Sequence, residues 1–299
     1  MNYYPVLVAF AALSAAFGFG FFYAGVDRKL FARMQNRRGP PILQPLYDAL
    51  KLLFAKETLV PESASSVLFV LAPYITFASL VTAVLLLPLG GVSAFPITGD
   101  VIVLIYVIVL SAVGIVLGAS ASGSPFAAVG ASREITLLIA VKLPLALAVL
   151  TAAVAVNSFS LTAIYDAPFM LLPFGAAAFF LVALAELGKT PFDIAEAEQE
   201  IAEGVYTEYS GRLLGLFKVS EVLKFYVLSN LFVVLFVPLP AAWGLVEKAV
   251  LQLVLAFLFV IVITLARAVT ARYRIEQAAR FYLYFVALLA LAQMILVYL

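Results

Sequence analysis

The sequence has neither cysteine nor histidine in its 299 residues. Without thiolates it cannot hold an iron–sulfur cluster or a cysteine-bound nickel. Without imidazole it cannot ligate haem through histidine or run a serine–histidine triad. Any redox centre that works with this chain must sit in other chains, so no cofactor is expected here. Charge is scarce as well. Only 12% of residues are Asp, Glu, Lys or Arg, about half the share of a soluble domain, and the net charge of +1 offers nothing to nucleic acid. The first residues lack a basic stretch followed by a small-residue cleavage site, so the first apolar segment is expected to be retained rather than removed as a signal peptide. No internal repeat is visible, which leaves the inverted-repeat plan of secondary transporters without support.

What is present is hydrocarbon. At 65% hydrophobic residues the chain has too little polar surface to face water and belongs in lipid. Eight apolar runs are long enough to span, at about 4–25, 66–88, 101–120, 134–156, 168–187, 218–238, 249–270 and 280–298. A membrane β-barrel would alternate polar and apolar positions, and these runs do not. The expected fold is therefore a single all-α integral membrane domain, residues 1–299, of about eight transmembrane helices with amphipathic helices at one surface. Cations cluster on one side of this layout: Arg28, Lys29, Arg33, Arg37, Arg38, Lys51, Lys56, Arg133, Lys189, Arg212, Lys218, Arg267, Arg272, Arg274 and Arg280, against Lys248 on the other. That bias predicts a multi-pass protein of the cell membrane with the basic segments in the cytoplasm and both termini outside.

Two long polar segments on the basic side, about 26–65 and 188–217, are where function is expected, because long connections are uncommon unless functional. In the first, Gly39-Pro40-Pro41 makes a rigid turn. After it, Ile42, Leu43, Leu46, Leu50, Leu53 and Phe54 recur at helical spacing, which predicts a surface helix of about 15 residues. It reads either as an interfacial anchor or as a platform on which Arg33, Arg37 and Arg38 meet an acidic partner. In the second, Thr190 and Pro191 resemble a helix start. Asp193, Glu196, Glu200 and Glu203 then follow at spacings that would align four carboxylates on one helical face. That face reads either as solvated surface or, beside a low-dielectric wall, as a proton-handling stripe.

Charges also lie inside the spans, where they mark function by default. Lys142 sits near the middle of the fourth span and has no acid at i±3 or i±4. Its partner must come from another helix or another chain, with Glu186 or an acid of a neighbouring pump subunit favoured. Glu221 and Lys224, three apart, can pair with each other, and read either as a structural ion pair or as functional charges. Glu186 and Arg267 lie close enough to span ends to snorkel outward. Gly114 and Gly118 form a small-xxx-small packing signal.

The two polar segments together resemble one family. The stretch RKLFARMQNRRGPPILQPLYDALKLLFAKE (28–57) is similar to the cytoplasmic loop of the proximal membrane-arm subunit of complex I, the chain that joins the membrane arm to the peripheral arm. The stretch AELGKTPFDIAEAEQEIAEGVYTEYSG (185–211) resembles that subunit's second loop. Glu186, Pro191, Phe192, Asp193, Glu196, Glu198, Glu200, Gly204, Glu208 and Tyr209 stand in matching places. The same family includes the anchor subunits of membrane-bound hydrogenases, formate hydrogenlyases and archaeal sulfane reductases, and GPPILQP resembles that branch more than quinone-reducing complex I. One departure stands out. Nine residues after Arg133 the family usually carries a glutamate, and this sequence has Lys142.

The resemblance implies a membrane anchor and coupling subunit that is not catalytic alone. Its partners would be small and large peripheral subunits carrying Fe–S clusters and a NiFe-type centre, together with antiporter-like membrane subunits. Asp193, Glu196, Glu200, Glu203 and Glu208, with Glu186, Lys142, Glu221 and Lys224, are the implied ion relay. Arg28, Lys29, Arg33, Arg37 and Arg38 are the implied docking set. A quinone-site subunit of a complex I-type dehydrogenase and a stand-alone transporter are the alternatives. Quinone-dependent turnover and co-purifying Fe–S chains distinguish the three.

Overall fold

A computed structural model describes residues 4–167, 172–195, 198–240 and 242–298. Among these residues the regular secondary structure is helical. Apart from one isolated bridge between Leu89 and Val92, it has no strand. Among the described residues, seven helices are long and apolar enough to cross a membrane: α1 (Tyr4–Met34), α3 (Ser66–Leu86), α4 (Asp100–Ala121), α5 (Pro125–Val156), α9 (Gly211–Phe236), α10 (Leu245–Val269) and α11 (Ile275–Tyr298). Between them lie α2 (Gln44–Leu50), α6 (Leu161–Tyr165), α7 (Pro173–Glu186) and α8 (Glu198–Ile201). The eight expected spans are α1, α3, α4, α5, α7, α9, α10 and α11.

Several bounds differ from expectation for physical reasons. α1 continues nine residues past the predicted end because Asp27 and Lys29 are carried on helix rather than loop. α7 is only 14 residues long, about 21 Å at 1.5 Å per residue, against a hydrocarbon core of about 30 Å. Proline at its first position starts it late, and Gly188, at φ +56°, ends it in the left-handed turn that glycine adopts without strain. Residues 168–171 of the predicted span lie outside the described residues.

α9 is the central strut and packs against α1, α3, α7 and α10. Its buried face is polar in places: Ser220, Lys224, Ser229 and Asn230 all point inward. The outer helices expose apolar side chains such as Val6, Phe10, Tyr106, Ile139 and Leu288, as lipid-facing surfaces do. The Gly114/Gly118 pair lets α3 and α4 approach closely. A Cβ at Gly114 would run into Thr76 Oγ1, and one at Gly118 into the Tyr209 hydroxyl. Tyr209 in turn stacks on Phe69, ring centroids 4.1 Å apart, and donates to the Phe69 carbonyl at 3.0 Å. That contact pins the end of the second polar segment to α3.

The predicted surface helix exists but is shorter. α2 passes into a π-helical turn, Lys51–Ala55, and ends there. Its apolar residues split between two faces. Leu46 and Leu53 pack on the core, whereas Leu43, Tyr47, Leu50 and Phe54 remain exposed.

Candidate functional site

The second polar segment does not form the predicted acidic helix. After Gly188 the backbone is taken up by tertiary contacts. The Tyr273 N–H donates to the Pro191 carbonyl at 3.0 Å, and Arg133 donates to the Ile194 carbonyl at 3.3 Å. The Thr190 hydroxyl, expected as a helix cap, donates instead to the Arg267 carbonyl at 3.0 Å. These contacts fix residues 190–194 in a path outside a helix. Helix resumes only as the single turn α8, and the positive φ angles of Ala202 (+47°) and Glu203 (+68°) end it. The three described acids of the four, Asp193, Glu200 and Glu203, are therefore not on one helix. Asp193 is half-buried, Glu200 and Glu203 are exposed, Glu208 is half-buried further on, and Glu196 lies outside the described residues. Phe192 is buried against Tyr273, Phe281 and Tyr282. The latter two belong to a π-helical turn within α11, Phe281–Val286.

The charged site that the fold does build lies in the interior. α7 is short, so Glu186 at its C-terminal end reaches the level of Lys142, near the middle of α5, and Lys224, near the middle of α9. Glu186 Oε1 lies 2.7 Å from the Lys142 ammonium, and Oε2 lies 3.0 Å from that of Lys224. All three side chains are buried, Glu186 most of all, with 4% of its side chain exposed. The Lys142 contact is ionic rather than an aligned hydrogen bond, since its Nζ finds no acceptor of good geometry among the described residues. Pro144, two residues along the same helix, leaves the Ala140 carbonyl without its amide partner. Tyr282 faces the Glu186 charge and donates its hydroxyl to the Leu181 carbonyl of α7 at 2.7 Å.

These contacts correct three expectations. Lys224 does not pair with Glu221. Glu221, at the rim, takes Lys218 at 2.9 Å, and Lys224 takes Glu186. Glu186 does not snorkel, because its helix stops inside the bundle. Arg267 does not snorkel either; it turns inward to Asp27.

Asp27 is a second buried centre that sequence reading missed. Its carboxylate is 1% exposed and receives Lys189 at 2.9 Å, Arg267 at 3.0 Å and the Thr264 hydroxyl at 2.9 Å. Arg267 also lies over the Phe31 ring. Glu186 and Lys189 flank Gly188, so one turn is tied to α5 and α9 on one side and to α1 and α10 on the other. The available signal was an acid seven residues before the end of an unusually long first helix. Glu134 was missed too. It lies two turns before Lys142 on α5, within electrostatic range of Lys224, Glu186 and Lys142.

A third centre sits at the edge of the second segment. Arg133 donates to Glu200 at 2.7 Å, with Arg272 at 3.9 Å on the other oxygen. The Arg133 hydrogen bond, helped by the charges of Arg272 and Arg133, holds the Glu200 carboxyl below its ordinary value. The docking set behaves simply. Arg28 pairs with Asp48 at 3.2 Å, Arg33, Arg37 and Arg38 are exposed, and Lys29 is half-exposed. Arg37 also contacts Gln35.

Comparison with known families matches residues 6–298 to the family described as NADH dehydrogenase. Hydrogenase-4 component C of Escherichia coli (strain K12) is 41% identical over 228 residues, covering 72% of this chain and 70% of that protein. Formate hydrogenlyase subunit 4 of the same organism is 35% identical over 290 residues, covering 89% and 93%. Among solved structures, a chain of the membrane-bound sulfane sulfur reductase, described as an archaeal respiratory membrane complex, superposes with a TM-score of 0.89. It is 27% identical, over 98% of this chain and 99% of that one.

Proposed function

The chain belongs to the NADH dehydrogenase family, and on that premise we propose that it is the membrane anchor and coupling subunit of a multi-subunit, ion-moving redox complex of the hydrogenase or sulfane reductase type. With no cysteine or histidine of its own, it works beside chains that hold the Fe–S clusters and a NiFe-type centre. The observation that carries the coupling role is Glu186, held between Lys142 and Lys224 at the root of the second polar segment. A buried charge shared by three helices responds to any movement of the turn that bears it, because at such depth the pairing energy depends steeply on distance.

In this reading Arg28, Lys29, Arg33, Arg37 and Arg38 form the cytoplasmic surface that receives an acidic peripheral subunit. A redox-linked displacement there reaches residues 189–208 and passes to the buried cluster. Antiporter-like subunits beside the chain then move the ions. Asp193, Glu200, Glu203 and Glu208 line the approach, and Glu186, Lys142 and Lys224 are its inner end, with Glu221 at the rim.

The test is purification of the tagged chain from native membranes in mild detergent. Fe–S subunits and large antiporter-like chains should come with it, and the preparation should couple ferredoxin oxidation to ion uptake after reconstitution. Ion transport by the isolated chain would overturn the proposal in favour of a transporter. Turnover that requires added quinone would move it to a quinone-reducing complex.

A further inference from the structure

The cytoplasmic end of α1 carries a different segment on each side. Gly25, Arg28, Lys29 and Ala32 share one face by their helical spacing. The first polar segment folds back onto that face. A Cβ at Gly25 would run into the Ile42 carbonyl, and one at Gly39 would lie 3.0 Å from the Lys29 Cα and 3.1 Å from the Ala32 side chain. Arg28 reaches Asp48 of α2 at 3.2 Å. Tyr23, Asp27 and Phe31 occupy the opposite face, since two residues turn about 200° around a helix. There Tyr23 donates to the Leu253 carbonyl of α10 at 2.8 Å, and Phe31 lies 4.0 Å from the Arg267 guanidinium. Between them Asp27 takes Lys189 at 2.9 Å and Arg267 at 3.0 Å on a single oxygen. Lys189 closes the turn after α7: the Gly188 and Lys189 N–H groups donate back to the Ala185 and Leu184 carbonyls at 2.9 and 3.0 Å. Glu186, inside that closed turn, moves with Lys189.

We infer that α1 is the strut joining the docking surface to the buried charges, and that Asp27 is the positioning residue through which it holds the turn bearing Glu186. This role rests on the coupling function proposed for the chain. A shift of residues 39–48 under a docked partner displaces the face of α1 they lie on, and the helix carries its opposite face along. The exposed Arg28–Asp48 pair adds little to that contact. The close backbone approach at Gly25 transmits the shift. On the opposite face Asp27, 1% exposed, holds together two cations that would otherwise repel, so its position sets theirs. Arg267 belongs to the long helix α10, whereas Lys189 belongs to a turn, which yields more easily. No bond is made or broken. Lys189 is displaced, and with it Glu186 against Lys142 and Lys224.

Lys189→Gln cuts the turn from α1 but leaves Asp27 its Arg267 and Thr264 partners, so the chain should fold. In the purified full chain, backbone amides of residues 187–192 should exchange hydrogen several-fold faster, with α4 unchanged, and Lys189→Arg should restore protection. Perturbing the other side of α1 should act through the same link. Gly25→Ala displaces Ile42, and Arg28→Glu sets like charge against Asp48 without touching the core. Each should quicken exchange at 187–192, and neither should add to K189Q. Unchanged exchange in K189Q or in both of those variants, or effects that add in the double variants, overturns the inference even if the coupling role stands. In the reconstituted complex, K189Q should lower the ions moved per electron while donor oxidation continues, with K189R restoring part of the loss. An unchanged ratio in K189Q also overturns it. If no complex surrounds the wild-type chain, the coupling role fails, and the exchange results still decide whether Asp27 links the two segments.

Discussion

Replacing Glu186 with glutamine tests the buried cluster most directly. Glutamine keeps the size of the side chain and removes the charge that Lys142 and Lys224 share, at 2.7 and 3.0 Å. Two ammonium groups, with 13% and 10% of their side chains exposed, are then left facing each other. Breaking a buried pair in this way costs roughly 3–5 kcal/mol. Lys142→Met is milder, because Glu186 keeps Lys224. The lost contact is poorly aligned, so the cost falls at the low end of the range for a charged hydrogen bond, about 1.5 kcal/mol. Lys142→Glu should be worse than Lys142→Met, since it adds a third carboxylate to a site left with one lysine. The double variant E186Q/K142M leaves one buried lysine charge in place of two, so it should be more stable than E186Q alone. Non-additivity of this sign, of about 0.5–3 kcal/mol, is what a shared charge network produces. The assay is thermal unfolding of the purified chain in detergent, with complex yield in membranes as a second readout. If K142M and K142E both match wild type, or the double variant shows the sum of the single effects, the cluster carries no such energy and the reasoning fails.

Because the chain has no cysteine, single cysteines can report topology: one at Arg37 should react only from the cytoplasm and one at Ile97 only from outside, and external labelling at Arg37 would reverse the orientation. Reversing the charges of Arg33, Arg37 and Arg38 together should release the peripheral Fe–S subunits while the membrane chain stays folded; a full complement of Fe–S subunits in the triple variant would remove the docking role. Glu200 is held below its ordinary pKa by Arg133, so its contribution is fully present above the usual glutamate value of about 4.3 and is lost as pH falls through its lower folded value. Hydrogen exchange in 194–208 should therefore quicken on acidification through that window, and Glu200→Gln should show the faster exchange already at neutral pH.

Composition and hydropathy by themselves determined the medium and the fold class. A chain that is 65% hydrophobic, with runs of about 20 apolar residues, must pair its backbone within helices in lipid. The need of Lys142 for an acid on another helix also followed from sequence, since its own helix offers none, and the partner is Glu186. The acidic helix did not follow, because spacing alone assumes that the backbone is free to coil. Here tertiary contacts from Arg133 and the Tyr273 N–H to the Ile194 and Pro191 carbonyls accompany a non-helical path. Nor could spacing choose between Glu221 and Glu186 for Lys224, because i,i+3 proximity is local whereas the depth of Glu186 depends on where a 14-residue helix stops. Asp27 and Glu134 look unremarkable in the sequence, each beside an arginine near a predicted span boundary. Only packing reveals that Asp27 is enclosed by Lys189, Arg267 and Thr264. Hydrophobic partition is summed along the chain and can be read from it. Pairing of sparse charges in low dielectric is decided by a few ångströms between distant helices, and only the tertiary structure sets those distances.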